Sequence, residues 1–166
     1  MHFPRYRDVP MGRFDHADDL GATLAPTDHP DWLCYTPRAA PLTFTRANGE
    51  VITPDTFITD LGTVPPLLRI GRLLQPDSYT AVALIHDWVV RRNNCGAAER
   101  DFRDSILVQQ EALKTWMETH PRDRSRVVFT LTRWGLRTRR SERGWCYQFD
   151  HCPPSLDAIL AARRSL

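Results

Sequence analysis

The chain reads as an α+β protein, mainly helical, in which an irregular N-terminal arm and a β-hairpin precede a small bundle of three to four helices. Three observations predict this. Leu42-Thr43-Phe44-Thr45 alternates apolar and polar residues, and Val51-Ile52 answers it across Asn48-Gly49, a pair that readily takes the positive φ of a tight turn. Tyr79 to Ile85 is apolar on nearly every face, as in a helix at the centre of a domain. Phe102, Ile106, Leu113 and Trp116 or Met117 then fall near helical spacing and give a second helix one face to lay on the first.

In chain order, residues 1–40 are polar, rich in Pro and Asp, and show no sustained period. They read as an extended or irregular arm, with Trp32 to Tyr35 as a short strand. The core domain occupies residues 41–140 and opens on the hairpin. Pro65-Pro66 starts a short helix or loop over Leu67 to Leu74. Asp77-Ser78 can cap the central helix, which should run to about Arg92 before Asn94 and Gly96 break it. The next helix is expected from about Ala97 to Thr119. A last core helix spans Arg124 to Leu136, although Val127, Val128, Thr130 and Thr132 also favour strand. Residues 141–166 form a tail in which Ser155 to Arg164 can make a short helix after Pro153-Pro154.

A chain of 166 residues fits one domain with a real hydrophobic core. The formal net charge of +2 directs no strong field at nucleic acid or anionic membrane, so no sequence-specific nucleic-acid partner is expected. Charge is biased locally, because Arg122, Arg124, Arg126, Arg133, Arg137, Arg139, Arg140 and Arg143 share a stretch whose only acids are Asp123 and Glu142. That stretch is either a solvated helix face or a contact for phosphate, lipid headgroups or an acidic partner subunit. Lys114 is the sole lysine. No span reaches the roughly 18 to 20 apolar residues that cross a bilayer, and Met1-His2-Phe3-Pro4-Arg5 lacks the apolar region of a secretory signal. The cytoplasm is therefore the expected location, and Cys34, Cys95, Cys146 and Cys152 are expected as reduced thiols. Cys146, His151 and Cys152 suggest a zinc corner, but this spacing lacks a second ligand pair.

The candidate site is His86-Asp87, an adjacent base and acid at the end of the most apolar segment. Burying such groups unpaired costs several kcal/mol, so they must be hydrogen-bonded or coordinated. Helical neighbours project about 100° apart, and the two are expected to serve one site in separate roles rather than to bond each other. His86 would be the general base, and Asp87 a metal or substrate ligand. Asp101 on the facing helix is the candidate for holding the imidazole tautomer. Asp60, with the carbonyls of Leu61 to Thr63, would complete a set of hard oxygen ligands for a divalent ion. The plainer reading stands beside it. His and Asp at a helix C-terminus often only stabilise the end, Asp60 forms Asx turns, and Asp101 is a favourable acid at a helix N-terminus.

Asn48-Gly49, Phe57-Ile58-Thr59-Asp60-Leu61-Gly62-Thr63-Val64-Pro65, Ala81 to Trp88, Asp101 in Ala98 to Phe102, and Val127 to Leu136 with Trp134-Gly135-Leu136 resemble, in combination, a family of bacteriophage and prophage proteins that carries a domain of unknown function. The resemblance covers roughly residues 40 to 138. It implies a phage context, residence in the host bacterial cytoplasm or incorporation in the virion, and no established activity. The chain departs from it at Val90, where relatives often place Tyr. The His-Asp helix also resembles the active centre of secreted calcium-dependent phospholipases, especially the small prokaryotic ones. That likeness implies His86 as base, calcium or another divalent ion at Asp87 and the Asp60 to Thr63 loop, and Asp101 or Asp104 as the residue orienting His86. The disulfides that brace those enzymes have no counterpart here. Two functions are thus expected. One is a metal-assisted hydrolase acting on host envelope lipid or cell wall. The other is a non-enzymatic virion or assembly component of tail, neck or capsid, binding other virion proteins through its arm and Arg-rich stretch.

Overall fold

The computed structural model describes residues 4–27, 33–61, 79–94 and 101–136. Among them the strands are β1 (Arg13–Asp15), β2 (Ala22–Pro26), β3 (Leu33–Pro37), β4 (Thr43–Thr45), β5 (Val51–Ile52) and β6 (Phe57–Thr59). The helices are α1 (Thr80–Asn94), α2 (Phe102–Thr119) and α3 (Arg126–Leu136). The strands form two antiparallel sheets, one ordered β1-β4-β5 and the other β2-β3-β6.

The hairpin forms where the alternation places it, pairing Phe44 with Ile52 and Thr45 with Val51. Its turn uses Gly49 at φ 88°, and the Gly49 N–H donates to the Arg46 carbonyl at 2.9 Å. Phe44 and Ile52 face the core and Val51 faces outward, as a period of two requires.

The described part of residues 1–40, that is 4–27 and 33–40, is not wholly irregular, because it supplies β1, β2 and β3. Arg13, Phe14 and Asp15 pair with Thr45, Phe44 and Thr43 and add a strand to the hairpin. β2 pairs with β3 along its whole length, from Ala22 with Pro37 to Pro26 with Leu33. The local sequence hides these strands because turns interrupt them. His16, Leu20 and Gly21 all take positive φ between β1 and β2. At Gly21 a Cβ would also lie 2.4 Å from the Ala40 carbonyl oxygen, so both conformation and space call for glycine. Leu33 to Tyr35 of the expected strand lie in β3, and Trp32 is outside the described residues.

α1 begins at Thr80 and runs two residues beyond Arg92, while Asp77 and Ser78, its expected cap, lie outside the described residues. α2 begins at Phe102, with Asp101 in extended conformation as its N-cap, rather than at Ala97. α3 is a helix despite its β-branched residues. Ser125 Oγ accepts from the Val128 N–H at 3.2 Å, and Val128 and Phe129 are buried, so capping and tertiary burial override strand propensity.

The helices do not pack only on each other, as a bundle would. Tyr35, Phe57 and Trp88 make a chain of ring contacts, 5.4 Å and then 5.3 Å between centroids, that joins β3 and β6 to α1. Phe14 meets Phe44 at 4.7 Å and Trp116 at 6.0 Å, which joins the other sheet to α2. Leu84, Ile85, Val108, Ala112 and Met117 fill the interior beside these rings. Tyr79, just ahead of α1, donates its hydroxyl to the Asp123 carbonyl. Burial first, and then the Asp123 carboxylate and Tyr6, push its phenol up to about 12, so it stays a neutral donor. No helix among the described residues is long and apolar enough to cross a membrane. Leu67 to Leu74, Ser155 to Arg164, and Cys95, Cys146, His151 and Cys152 lie outside the described residues.

Candidate functional site

β6 and α1 build the site together. Phe57 is buried against Trp88, which brings α1 down onto the end of β6. Alternation along β6 sends Thr59 to the same face as Phe57, and Thr59 is buried. Its Oγ1 donates to Asp87 Oδ2 at 2.6 Å and accepts from the Leu61 N–H at 2.9 Å. Leu61 takes φ 56°, so the backbone doubles back immediately after Asp60 to make that second bond. One oxygen of Asp87 is thereby anchored.

The other oxygen, Oδ1, lies 3.4 Å from His86 Nδ1. Neighbours on a helix were expected not to meet, and they do approach, because Thr59 turns the Asp87 carboxylate along the helix surface. The separation is long for an N–H···O bond, but it is an ion-pair distance when the imidazole is protonated. The side chains are 19 % and 14 % exposed, sheltered yet open to solvent. With a proton on Nδ1 facing Asp87, Nε2 is left as the basic atom.

The other expected site residues are occupied differently. Asp101 is exposed, and its Oδ1 accepts from the Asp104 N–H at 2.6 Å, so it caps α2. Asp104 pairs with Arg46 Nη1 at 3.1 Å. Asp60 is exposed on the turn after β6. Among the described residues the structure joins His86 and Asp87 to Thr59, and gives Asp101 and Asp104 separate work at the start of α2.

A divalent cation of the calcium type needs six to eight oxygens. Among the described residues no three His, Cys, Asp or Glu side chains converge as a group that could hold a metal ion. Asp87 already has one oxygen bonded to Thr59 and the other facing His86. Asp60 and Asp87, the expected ligands, are joined by no third His, Cys, Asp or Glu among the described residues. Gly62 and Thr63, whose carbonyls were expected to contribute, lie outside them.

A second polar cluster was not anticipated. The Arg46 side chain, 8 % exposed, meets Glu50 at 2.8 Å, Asp104 at 3.1 Å and Glu111 at 3.2 Å. Burial works against its charge, but Glu50, Asp104 and Glu111 outweigh that and hold Arg46 above its ordinary value. The other oxygen of Glu111 accepts from the Ala47 N–H, so the cluster ties the hairpin to α2. Every charged member has a partner. This is the pattern of structural ionic groups rather than of a site awaiting a ligand.

Thr59 was missed as a functional residue, although it stands inside the Phe57 to Pro65 motif. Its hydroxyl matters only once β6 and α1 are in contact.

No curated protein and no solved structure matches the chain. A family model does, that of DUF1353, described as a protein of unknown function, and it covers residues 38–124. That span runs from just before β4 to just after α2. It contains Thr59, His86 and Asp87 together with the Arg46 cluster. Since the match takes in more than half of the sequence and all of the polar architecture described above, the chain belongs to the DUF1353 family.

Proposed function

We propose that this protein is a bacteriophage or prophage hydrolase acting on host envelope material, phospholipid ester or cell wall, with His86 as the general base. The relay from the Leu61 N–H through Thr59 and Asp87 to His86 Nδ1 carries this reading. Asp87 orients the ring and stabilises the imidazolium that forms when Nε2 takes a proton from water. That role, assigned to Asp101 on sequence, falls to Asp87. Thr59 is the positioning residue, since it touches Asp87 and not the reacting atoms.

The test is hydrolysis of phosphatidylglycerol vesicles and of purified peptidoglycan by the intact chain and by His86→Ala. Turnover of one substrate should fall by roughly 10²- to 10⁴-fold in the variant, with its thermal midpoint close to that of the intact chain. A large loss of stability in His86→Ala would instead mark the pair as a structural latch between β6 and α1.

A second reading is a virion or assembly component, and α3 is the observation in its favour. Val127 and Trp134, seven residues apart and so on one side of the helix, are 58 % and 71 % exposed. Arg126, next to Val127 in the chain, is also exposed. An exposed Trp flanked by Arg has the composition of a protein–protein contact. The arm gives this reading no support, because residues 13–26 are folded into the protein's own sheets.

A further inference from the structure

α3 begins just past the last residue of the family match, and its outer face is covered by nothing among the described residues. Since a helix turns about 100° per residue, Arg126, Thr130, Trp134 and Val127 fall within one arc of about 100°, away from the buried Val128 and Phe129. All four are exposed. The Thr130 hydroxyl donates to the Arg126 carbonyl at 2.8 Å, so its polar atom is already satisfied on the helix. An apolar strip of Val127 and Trp134 is thus left in water beside a cation.

The charge at this face is uncompensated. Elsewhere exposed arginines stand beside acids, Arg7 at 3.5 Å from Asp8, Arg13 at 3.3 Å from Asp15 and Arg38 at 3.8 Å from Asp19. Exposed Arg122 and Arg126 have no ion pair among the described residues. Asp123, between Arg122 and Arg124 in the chain, accepts from Trp116 Nε1 at 3.1 Å and so serves the core. Arg124 meets Glu118 at 3.2 Å, and its side chain is still 44 % exposed. It also lies over the Tyr6 ring at 5.9 Å, and Tyr6 sits edge-on to Phe129, which fixes this cation beside α3. These arginines do not serve the helix, because cations at a helix N-terminus oppose its dipole and the first turn of α3 holds no acid.

We propose that this face docks the protein on an anionic phospholipid surface, with Arg122, Arg124 and Arg126 at the phosphates and Trp134 and Val127 in the headgroup layer. An indole is apolar in body with a polar N–H, and it settles at that depth. Positive charge beside an apolar helix face is what draws a helix onto anionic lipid. The apolar strip spans seven residues, about 10 Å, and consists of two side chains. Two side chains supply little of the apolar core of a stable protein interface, whereas a headgroup layer needs no matching pocket. A second copy of the chain would crowd the same uncompensated arginines into one contact. The docking holds whether or not His86 is catalytic.

The experiment is co-sedimentation of the full chain with vesicles of phosphatidylcholine alone and of phosphatidylcholine mixed with phosphatidylglycerol. The chain should pellet with the mixed vesicles and not with phosphatidylcholine, and added salt should release it. Arg122→Gln combined with Arg126→Gln should weaken binding about tenfold or more, and Trp134→Ser should weaken it independently. All three side chains are exposed, so these variants should melt close to the intact chain, and either carries the test if the other does not fold. Arg13→Gln combined with Arg38→Gln removes the same charge away from α3 and should bind as the intact chain does. No binding to the mixed vesicles, undiminished binding by the α3 variants, or an equal loss in the Arg13 and Arg38 variant would overturn the assignment. A chain that ignores vesicles but self-associates in sedimentation velocity, and stops doing so in Trp134→Ser, would also overturn it and return α3 to the assembly reading. Pelleting with the mixed vesicles while no lipid is hydrolysed would support the docking and count against lipid as the substrate of His86.

Discussion

Gln110 in α2 is 1 % exposed, and among the described residues neither its Oε1 nor its Nε2 has a hydrogen-bond partner. Glu111, the next residue, is equally buried, yet one oxygen meets Arg46 Nε and the other the Ala47 N–H. Two adjacent buried polar side chains thus stand at opposite ends of the energy scale. The carboxylate is compensated by a cation and a backbone donor. The amide has lost its hydration for nothing, at a cost of about 1–3 kcal/mol. Gln110→Met keeps the length of the side chain and replaces the amide with an adaptable apolar group. It should raise stability by about 1–2 kcal/mol, read as a higher urea midpoint at unchanged slope. A lower midpoint would show that the amide is bonded in solution and that Gln110 belongs to a polar network.

At the scale of elements, α2 shows how one residue can be legible in two ways. Asp101 stands where a catalytic orienter was expected and also where an N-cap belongs, and the structure uses it as the cap. Asp101→Ala should therefore cost about 1 kcal/mol of stability and leave hydrolysis per folded molecule unchanged. Lost turnover at unchanged stability would return Asp101 to the chemistry. The elements read correctly from sequence were those whose signal is local. The β4-β5 hairpin has its alternation and its Asn48-Gly49 turn, and α1 has an apolar run longer than any strand. β1 was missed because its three residues make a strand only by pairing with Thr43, Phe44 and Thr45, some thirty positions later. α3 was ambiguous because Val127, Val128, Thr130 and Thr132 favour one state and the burial of Val128 and Phe129 enforces the other. The site divides in the same way. His86 and Asp87 stood out as charge at the end of an apolar run. Thr59 did not, since its bond to Asp87 forms only where α1 meets β6.

The whole molecule depends on its first residues more than their composition suggests. Tyr6 sets its ring edge-on to Phe129 at 4.9 Å and donates its hydroxyl to Glu118 at 2.8 Å. Lys114 donates to the Val9 carbonyl, and the Gly12 N–H donates to Thr115 Oγ1 at 2.9 Å. Asp18 meets His120 Nε2 at 3.0 Å, where the imidazole stacks on Trp116. These contacts reach α2, α3 and the turn between them, while β1 and β2 extend the two sheets. Val9 is buried and Tyr6 and Phe14 are partly buried against the core; since fully burying one apolar side chain is worth about 1.5–3 kcal/mol, the three supply a sizeable part of the net stability of a typical domain, about 5–15 kcal/mol. Deleting residues 1–26 removes all three and strips β1 from β4 and β2 from β3, leaving β3 and β4 with open edges of the kind that recruit other chains. The truncated chain should lose its cooperative thermal transition and sediment as aggregate, whereas the intact chain melts in one step. A truncated chain that melts sharply near the intact temperature would mean that the N-terminal residues only rest on a self-sufficient domain. They would then be free to pair with a neighbouring subunit, and the assembly reading would regain the support that the folded strands now deny it.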